Sequence, residues 1–119
     1  VRVLALVPDL LFGSKVQAML AAAGHEVELV GDPAQARAKA AGAAVLVVDL
    51  TTNQFDGSAL VAAMRRDGEL GDARTLAFYS HVEHETRERA EAAGFDLVVP
   101  RSRMAREGGA LISGLGARR

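Results

Sequence analysis

Four residues able to do chemistry stand at comparable places along this chain. Asp9 follows the apolar run Val1–Val7, Asp49 lies near the end of Ala44–Leu50, Ser80 follows Thr75–Tyr79, and Arg101 follows Phe95–Val99. Two carboxylates, a hydroxyl and a guanidinium around one crevice suit a divalent cation together with an anion. Mg²⁺ takes one or two carboxylates, a carbonyl and several waters. Asp9, Asp49 and the backbone carbonyl of Thr51, two residues beyond Asp49, form such a set. A phosphoryl group on Asp49 would then have three neutralising partners: the metal, the Arg101 charge and the Ser80 hydroxyl. His81 and His84, with Glu83 and Glu85, have a second spacing of interest, since imidazoles three apart on a helix can share a metal. The plainer reading of such histidines is solvation, and His81 is also placed to modulate the crevice. His25, just after Gly24, reads as a surface residue.

These residues meet only if the intervening elements bring them together. Ala44–Leu50 is a continuous, β-branched-rich run between Gly42 and the polar stretch Thr51–Gln54, the signature of a strand buried on both faces. A bare charge is costly inside a sheet, so Asp49 is expected to emerge at the strand's C-terminal mouth. Val1–Val7 is a second strand. Val16, Met19, Leu20 and Ala23 give one helical stripe over Lys15–Ala23, closed by Gly24. Glu26–Val30 alternates like an edge strand. Asp32-Pro33 opens a short Ala-rich helix, with Asp as N-cap and Pro at N1. Asp56-Gly57-Ser58 leads into a helix with Leu60, Val61 and Met64 facing inward, and Thr75–Tyr79 and Phe95–Val99 are further strands. Between them Glu83–Ala93 is a charged helix stopped by Gly94. The last helix, Ser102–Leu115, is expected to be short or frayed, because Gly108, Gly109 and Gly114 each cost it roughly 1 kcal/mol.

Strand and helix thus alternate five times. That is an α/β chain, a (βα)5 doubly wound, parallel five-stranded sheet with right-handed crossovers and helices on both faces. The expected strand order is 2-1-3-4-5, with its switch point between strands 1 and 3. Asp9 and Asp49 then lie side by side, and Ser80 and Arg101 face the same crevice.

Bulk properties narrow the classes. At 119 residues the chain reads as one domain, 1–119. A formal net charge of −1 gives no basic field for nucleic acid. The lack of cysteine excludes disulfides, thiolate metal sites and thiol nucleophiles. No apolar stretch reaches bilayer length and no leader precedes the first strand, so a soluble, cytoplasmic protein without membrane contact is expected.

Over nearly its whole length the chain resembles the receiver domains of two-component response regulators. The family's acidic pair after strand 1 matches Pro8-Asp9, its phosphoacceptor aspartate matches Asp49, and its Asp-Gly seven residues on matches Asp56-Gly57. Its strand 4 hydroxyl matches Ser80, and its lysine after strand 5 matches Arg101, seven residues beyond Ala93-Gly94. The resemblance implies a flavodoxin-like receiver fold, phosphoryl acceptance at Asp49 assisted by Ser80 and Arg101, and Mg²⁺ held by Asp9, Asp49 and the Thr51 carbonyl. It also implies a histidine kinase or other signalling protein as partner, with contacts or a homodimer through the helix 4–strand 5–helix 5 face. Several positions depart from the pattern. Pro8 replaces one acid and should weaken Mg²⁺ binding, while the planar, always charged Arg101 replaces a lysine and could pair with Asp49 or Asp9. Thr52-Asn53 stands for Met-Pro, Val98 for the switch aromatic (Tyr79 being a candidate substitute), and Pro100 precedes Arg101, as a cis bond or a stiff turn. These mark an atypical, or pseudo-, receiver.

Three functions compete on this basis. The first is a stand-alone receiver that accepts a phosphoryl group and signals through protein contacts. The second is a docking module of the same fold working without phosphorylation. The third is a small flavodoxin-like enzyme or cofactor binder. It is disfavoured because Pro8-Asp9-Leu10-Leu11-Phe12-Gly13 is no Gly-rich phosphate loop.

Overall fold

Five strands and five helices alternate in the computed structural model, which describes residues 1–80 and 84–117. In chain order they are β1 (Arg2–Leu6), α1 (Leu10–Ala22), β2 (Glu26–Val30), α2 (Pro33–Lys39), β3 (Val45–Asp49), α3 (Gly57–Arg66), β4 (Arg74–Tyr79), α4 (His84–Ala93), β5 (Leu97–Pro100) and α5 (Arg101–Gly116), with a single 3₁₀ turn at Ala40–Gly42. The sheet is parallel throughout and runs β2-β1-β3-β4-β5, the expected order.

Strand pleating divides the core in two. Val3, Ala5, Val45, Val47, Leu76, Phe78 and Val99 point to one face, where Phe12, Val16 and Leu20 of α1 and Met104, Ile112 and Leu115 of α5 cover them. Leu4, Leu6, Leu46, Val48 and Ala77 point to the other, against Ala36 of α2, Leu60, Val61 and Met64 of α3, and Ala90 of α4. All five residues of β3 are buried, as a central strand requires. Each large side chain so placed contributes about 1.5–3 kcal/mol of transfer free energy. β2 is the half-exposed edge.

Two helices differ from expectation. α1 begins at Leu10, five residues before the apolar stripe, because the Asp9 side chain caps the Leu11 and Phe12 amides. Leu10 and Leu11 are 83% and 86% exposed; of this turn, Phe12 and Gly13 are buried, Phe12 four residues before Val16 on the same face. α5 is neither short nor frayed; at 16 residues it is the longest helix described. A Cβ on Gly108 would stand 2.5 Å from Met19 Cε, and one on Gly109 would stand 2.9 Å from Ala23 Cβ. The glycines admit α1 to close range, and that packing outweighs their poor helix propensity. β5 is also displaced, starting at Leu97 instead of Phe95. There Asp96 Oδ2 accepts from the Thr75 amide (2.7 Å) and hydroxyl (3.1 Å), tying the start of β5 to β4. His25 is half-buried, not a free surface residue; its Nε2 lies 3.1 Å from Ser113 Oγ and 3.4 Å from the Gly109 carbonyl of α5.

Two glycine substitutions with opposite signs test this packing. A Cβ at Gly57 would meet Leu50 Cδ2 at 2.6 Å and Val48 Cγ1 at 2.8 Å, whereas Gly114 has open space around it. Gly57→Ala should lower stability by about 1–3 kcal/mol through overpacking. Gly114→Ala should raise it by about 0.5–1 kcal/mol through helix propensity. Thermal unfolding followed by circular dichroism measures both, and equal signs would contradict the packing described.

Candidate functional site

The C-terminal edge of the sheet gathers the four residues. Asp9 lies three residues beyond β1, Asp49 is the last residue of β3, Ser80 follows β4, and Arg101 opens α5 directly after β5. Because every strand is parallel, these positions share one edge, and β1 and β3 are adjacent in the sheet.

Asp49 does not emerge as freely as a strand-mouth charge was expected to. It is 2% exposed. Its Oδ1 accepts from both the amide and the hydroxyl of Thr51, each at 2.6 Å. These charge-assisted bonds satisfy the carboxylate that burial would otherwise penalise. The groups of Thr51 that engage Asp49 are therefore its N–H and O–H.

Asp9 has two jobs. Oδ1 caps α1 through the Leu11 amide at 2.9 Å and the Phe12 amide at 3.1 Å, and a carboxylate there is further favoured by the helix dipole. Oδ2 faces Arg101 Nη2 at 3.8 Å. Of the two pairings open to Arg101 on sequence grounds, the structure forms the one with Asp9. The guanidinium also lies over a ring: Arg101 Cζ is 4.0 Å from the Phe12 centroid. Phe12 in turn packs on Phe78, with centroids 5.1 Å apart and planes tilted by 59°. Sequence reasoning passed over Phe12. Its signal was a lone aromatic three residues after a capping aspartate. Pro100 holds the N-cap position of α5 with a trans bond, since no peptide bond among the described residues is cis.

Ser80 is exposed at the end of β4. His81 and Glu83 lie outside the described residues, so the His-x-x-His reading is represented only by His84 and Glu85 at the start of α4. Among the described residues no three His, Cys, Asp or Glu side chains gather closely enough to hold a metal ion. The donor set proposed for Mg²⁺ fits that ion poorly. Each aspartate has one oxygen already committed, Pro8 offers no second acid, and the remaining Asp9 oxygen faces a cation.

Beside the crevice, Asp56 joins α3 to α4. It caps α3 by accepting from the Ala59 amide at 3.0 Å, and Arg89 Nη2 of α4 donates to its Oδ2 at 2.6 Å. The Arg89 hydrogen bond, then that of the Ala59 amide, holds the Asp56 carboxyl below its ordinary value of 3.8. Elsewhere on α4, Arg87 and Glu91 pair at 3.1 Å one turn apart. An open groove of about 390 Å³ runs between these elements, lined in part by Thr52, Asn53, Phe55 and Thr86.

The Asp56–Arg89 bond carries a pH signature. A carboxyl with a depressed folded-state pKa stabilises the fold fully above its unfolded value and loses that contribution as pH falls through the folded one. Arg89→Ala should therefore lower the melting temperature modestly at neutral pH, both side chains being largely exposed. The gap between variant and wild type should close as pH drops below 3.8, the ordinary value for this group. Melting curves across acidic pH check this; a gap that widens instead would contradict the pairing.

No family model matches the chain, and neither does any curated protein. Solved structures do. The receiver domain of a Francisella response regulator superposes with a TM-score of 0.84 at 15% identity, covering 97% of this chain and 95% of that one. The Vibrio cholerae chemotaxis protein CheY4 gives 0.82 at 22% identity, covering 96% and 97%. The receiver domain of a Pseudomonas aeruginosa sensor histidine kinase, solved with a magnesium ion coordinated in its active site cleft, gives 0.84 at 18% identity and covers 98% of each chain. No helix among the described residues is long and apolar enough to cross a membrane. Identities this low speak for architecture, and on that ground the chain has the receiver-domain fold.

Proposed function

We propose that this chain is a receiver-type signalling domain, a single unit over residues 1–119, that acts through protein contacts and uses Asp49 as its phosphoryl acceptor. One observation carries the reading: a buried carboxylate ends the central strand of a receiver fold, with Ser80 and Arg101 directly following the next two strands at the same edge. In the transfer, an Asp49 oxygen attacks the phosphorus of a phosphohistidine-type donor. A P–O bond forms as the P–N bond breaks, and the departing nitrogen takes a proton from water. Oδ1 is held by Thr51, which leaves Oδ2 as the attacking atom. Arg101 and Ser80 supply the charge and the donor that phosphoryl oxygens need. The donor is a histidine kinase or a related signalling protein. The output surface is α4, β5 and α5, through which a second copy or another partner docks, and the setting is cytoplasmic.

A second reading keeps the fold and the docking face but dispenses with phosphorylation. It is favoured by the engagement of Arg101 with Asp9 and Phe12 instead of Asp49. An atypical, unregulated receiver would look this way.

Incubation with a small phosphodonor, with and without Mg²⁺, followed by intact mass measurement separates the two. A phosphoryl-sized mass gain in the wild type that is absent from Asp49→Asn supports the acceptor role. Absence of the adduct under all conditions selects the docking module.

A further inference from the structure

We infer that Phe12 is the positioning residue of the crevice, and that it sets Arg101 against Asp9 as a built-in cation in place of a divalent metal. This rests on the receiver-type reading for the location of the crevice, but not on phosphoryl transfer.

One residue holds both partners. The Phe12 amide donates to Asp9 Oδ1 at 3.1 Å, and the Phe12 ring lies 4.0 Å beneath the Arg101 guanidinium. The ring is 6% exposed and braced on Phe78, so it is a fixed platform. A guanidinium suits it: planar, weakly hydrated, permanently charged and attracted by the face of an aromatic ring. Arg101 is the first residue of α5, where the helix dipole disfavours a cation. The Phe12 ring and the Asp9 carboxylate offset that penalty, and the side chain is held at the crevice.

Mg²⁺ requires a nearly octahedral shell and strips its waters reluctantly. Here the Asp9 oxygen it would use is 3.8 Å from Arg101 Nη2. Asp49 Oδ1 is taken by two donors of Thr51, so a metal would have to share Oδ2 with the incoming phosphoryl group. Residue 8, the neighbour of Asp9, is proline and has no charge to add. The dication would meet a fixed positive charge and two half-committed ligands.

Amide NMR during a MgCl₂ titration decides this. In the wild type, millimolar MgCl₂ should leave the Asp9, Asp49 and Thr51 amide resonances in place. Arg101→Ala should move them and bind Mg²⁺ about ten-fold more tightly or better, the effect of removing one charge from beside the Asp9 oxygen. Phe12→Leu keeps the charge and removes the platform; it should also gain Mg²⁺ response, which simple charge removal does not explain. Far-ultraviolet circular dichroism confirms that each variant is folded. Sub-millimolar Mg²⁺ shifting the wild-type resonances, with neither variant binding more tightly, would overturn the inference. The phosphodonor experiment adds an independent arm. An Asp49 adduct formed equally well with a chelator present supports the built-in cation. An adduct strictly dependent on Mg²⁺ overturns it while leaving the acceptor role standing.

Discussion

Everything at the crevice follows from parallel pairing of the strands. When all five strands run the same way, their C-terminal ends share an edge, and residues 9, 49, 80 and 101 arrive there despite being far apart in the chain. Parallel sheets need cover on both faces, which the two cores provide with α1 and α5 on one side and α2, α3 and α4 on the other. The central strand sets the terms. Its five residues are buried, so its final carboxylate starts from a desolvated position and must find donors. Thr51, two residues later, provides both an amide and a hydroxyl.

Local capping then decides which charges are free to act. Asp9 looks like half of an acidic site, yet one of its oxygens closes the first turn of α1. Asp56 similarly closes α3 while its second oxygen is bonded to Arg89. In both cases the carboxylate serves a helix first and a neighbouring arginine second. This ordering is physically sensible, because an unpaired amide at a helix start costs more than a solvent-screened ion pair returns.

Much of the architecture was readable from residues alone, and particular residues show why the remainder was not. The Val45–Val48 run, the Asp32-Pro33 start and the Asp56-Gly57 start are local signals, and each marks the element it announced. The first turn of α1 was hidden because Leu10 and Leu11 are apolar yet face solvent, which masks the i, i+4 step from Phe12 to Val16. The length of α5 was hidden for the opposite reason: its glycines are unfavourable locally, and their benefit exists only once α1 lies against them. At the crevice, residue types and strand ends marked Asp9, Asp49, Ser80 and Arg101. Which partner Arg101 takes depends on the Phe12 ring, a tertiary contact spanning 89 positions that no spacing rule reveals.

The glycine seam between α1 and α5 has a mechanical meaning. α1 carries Asp9 and Phe12, α5 carries Arg101, and the two helices touch where Gly108 meets Met19 and Gly109 meets Ala23. With so little clearance, neither helix slides past the other without steric overlap, so this wall of the molecule behaves as a stationary frame. The opposite wall is built differently: α4 buries just Ala90 among its described residues and is fastened through exposed polar links. Beside that seam α4 is the more lightly held helix, so the two faces of the sheet are unequally braced.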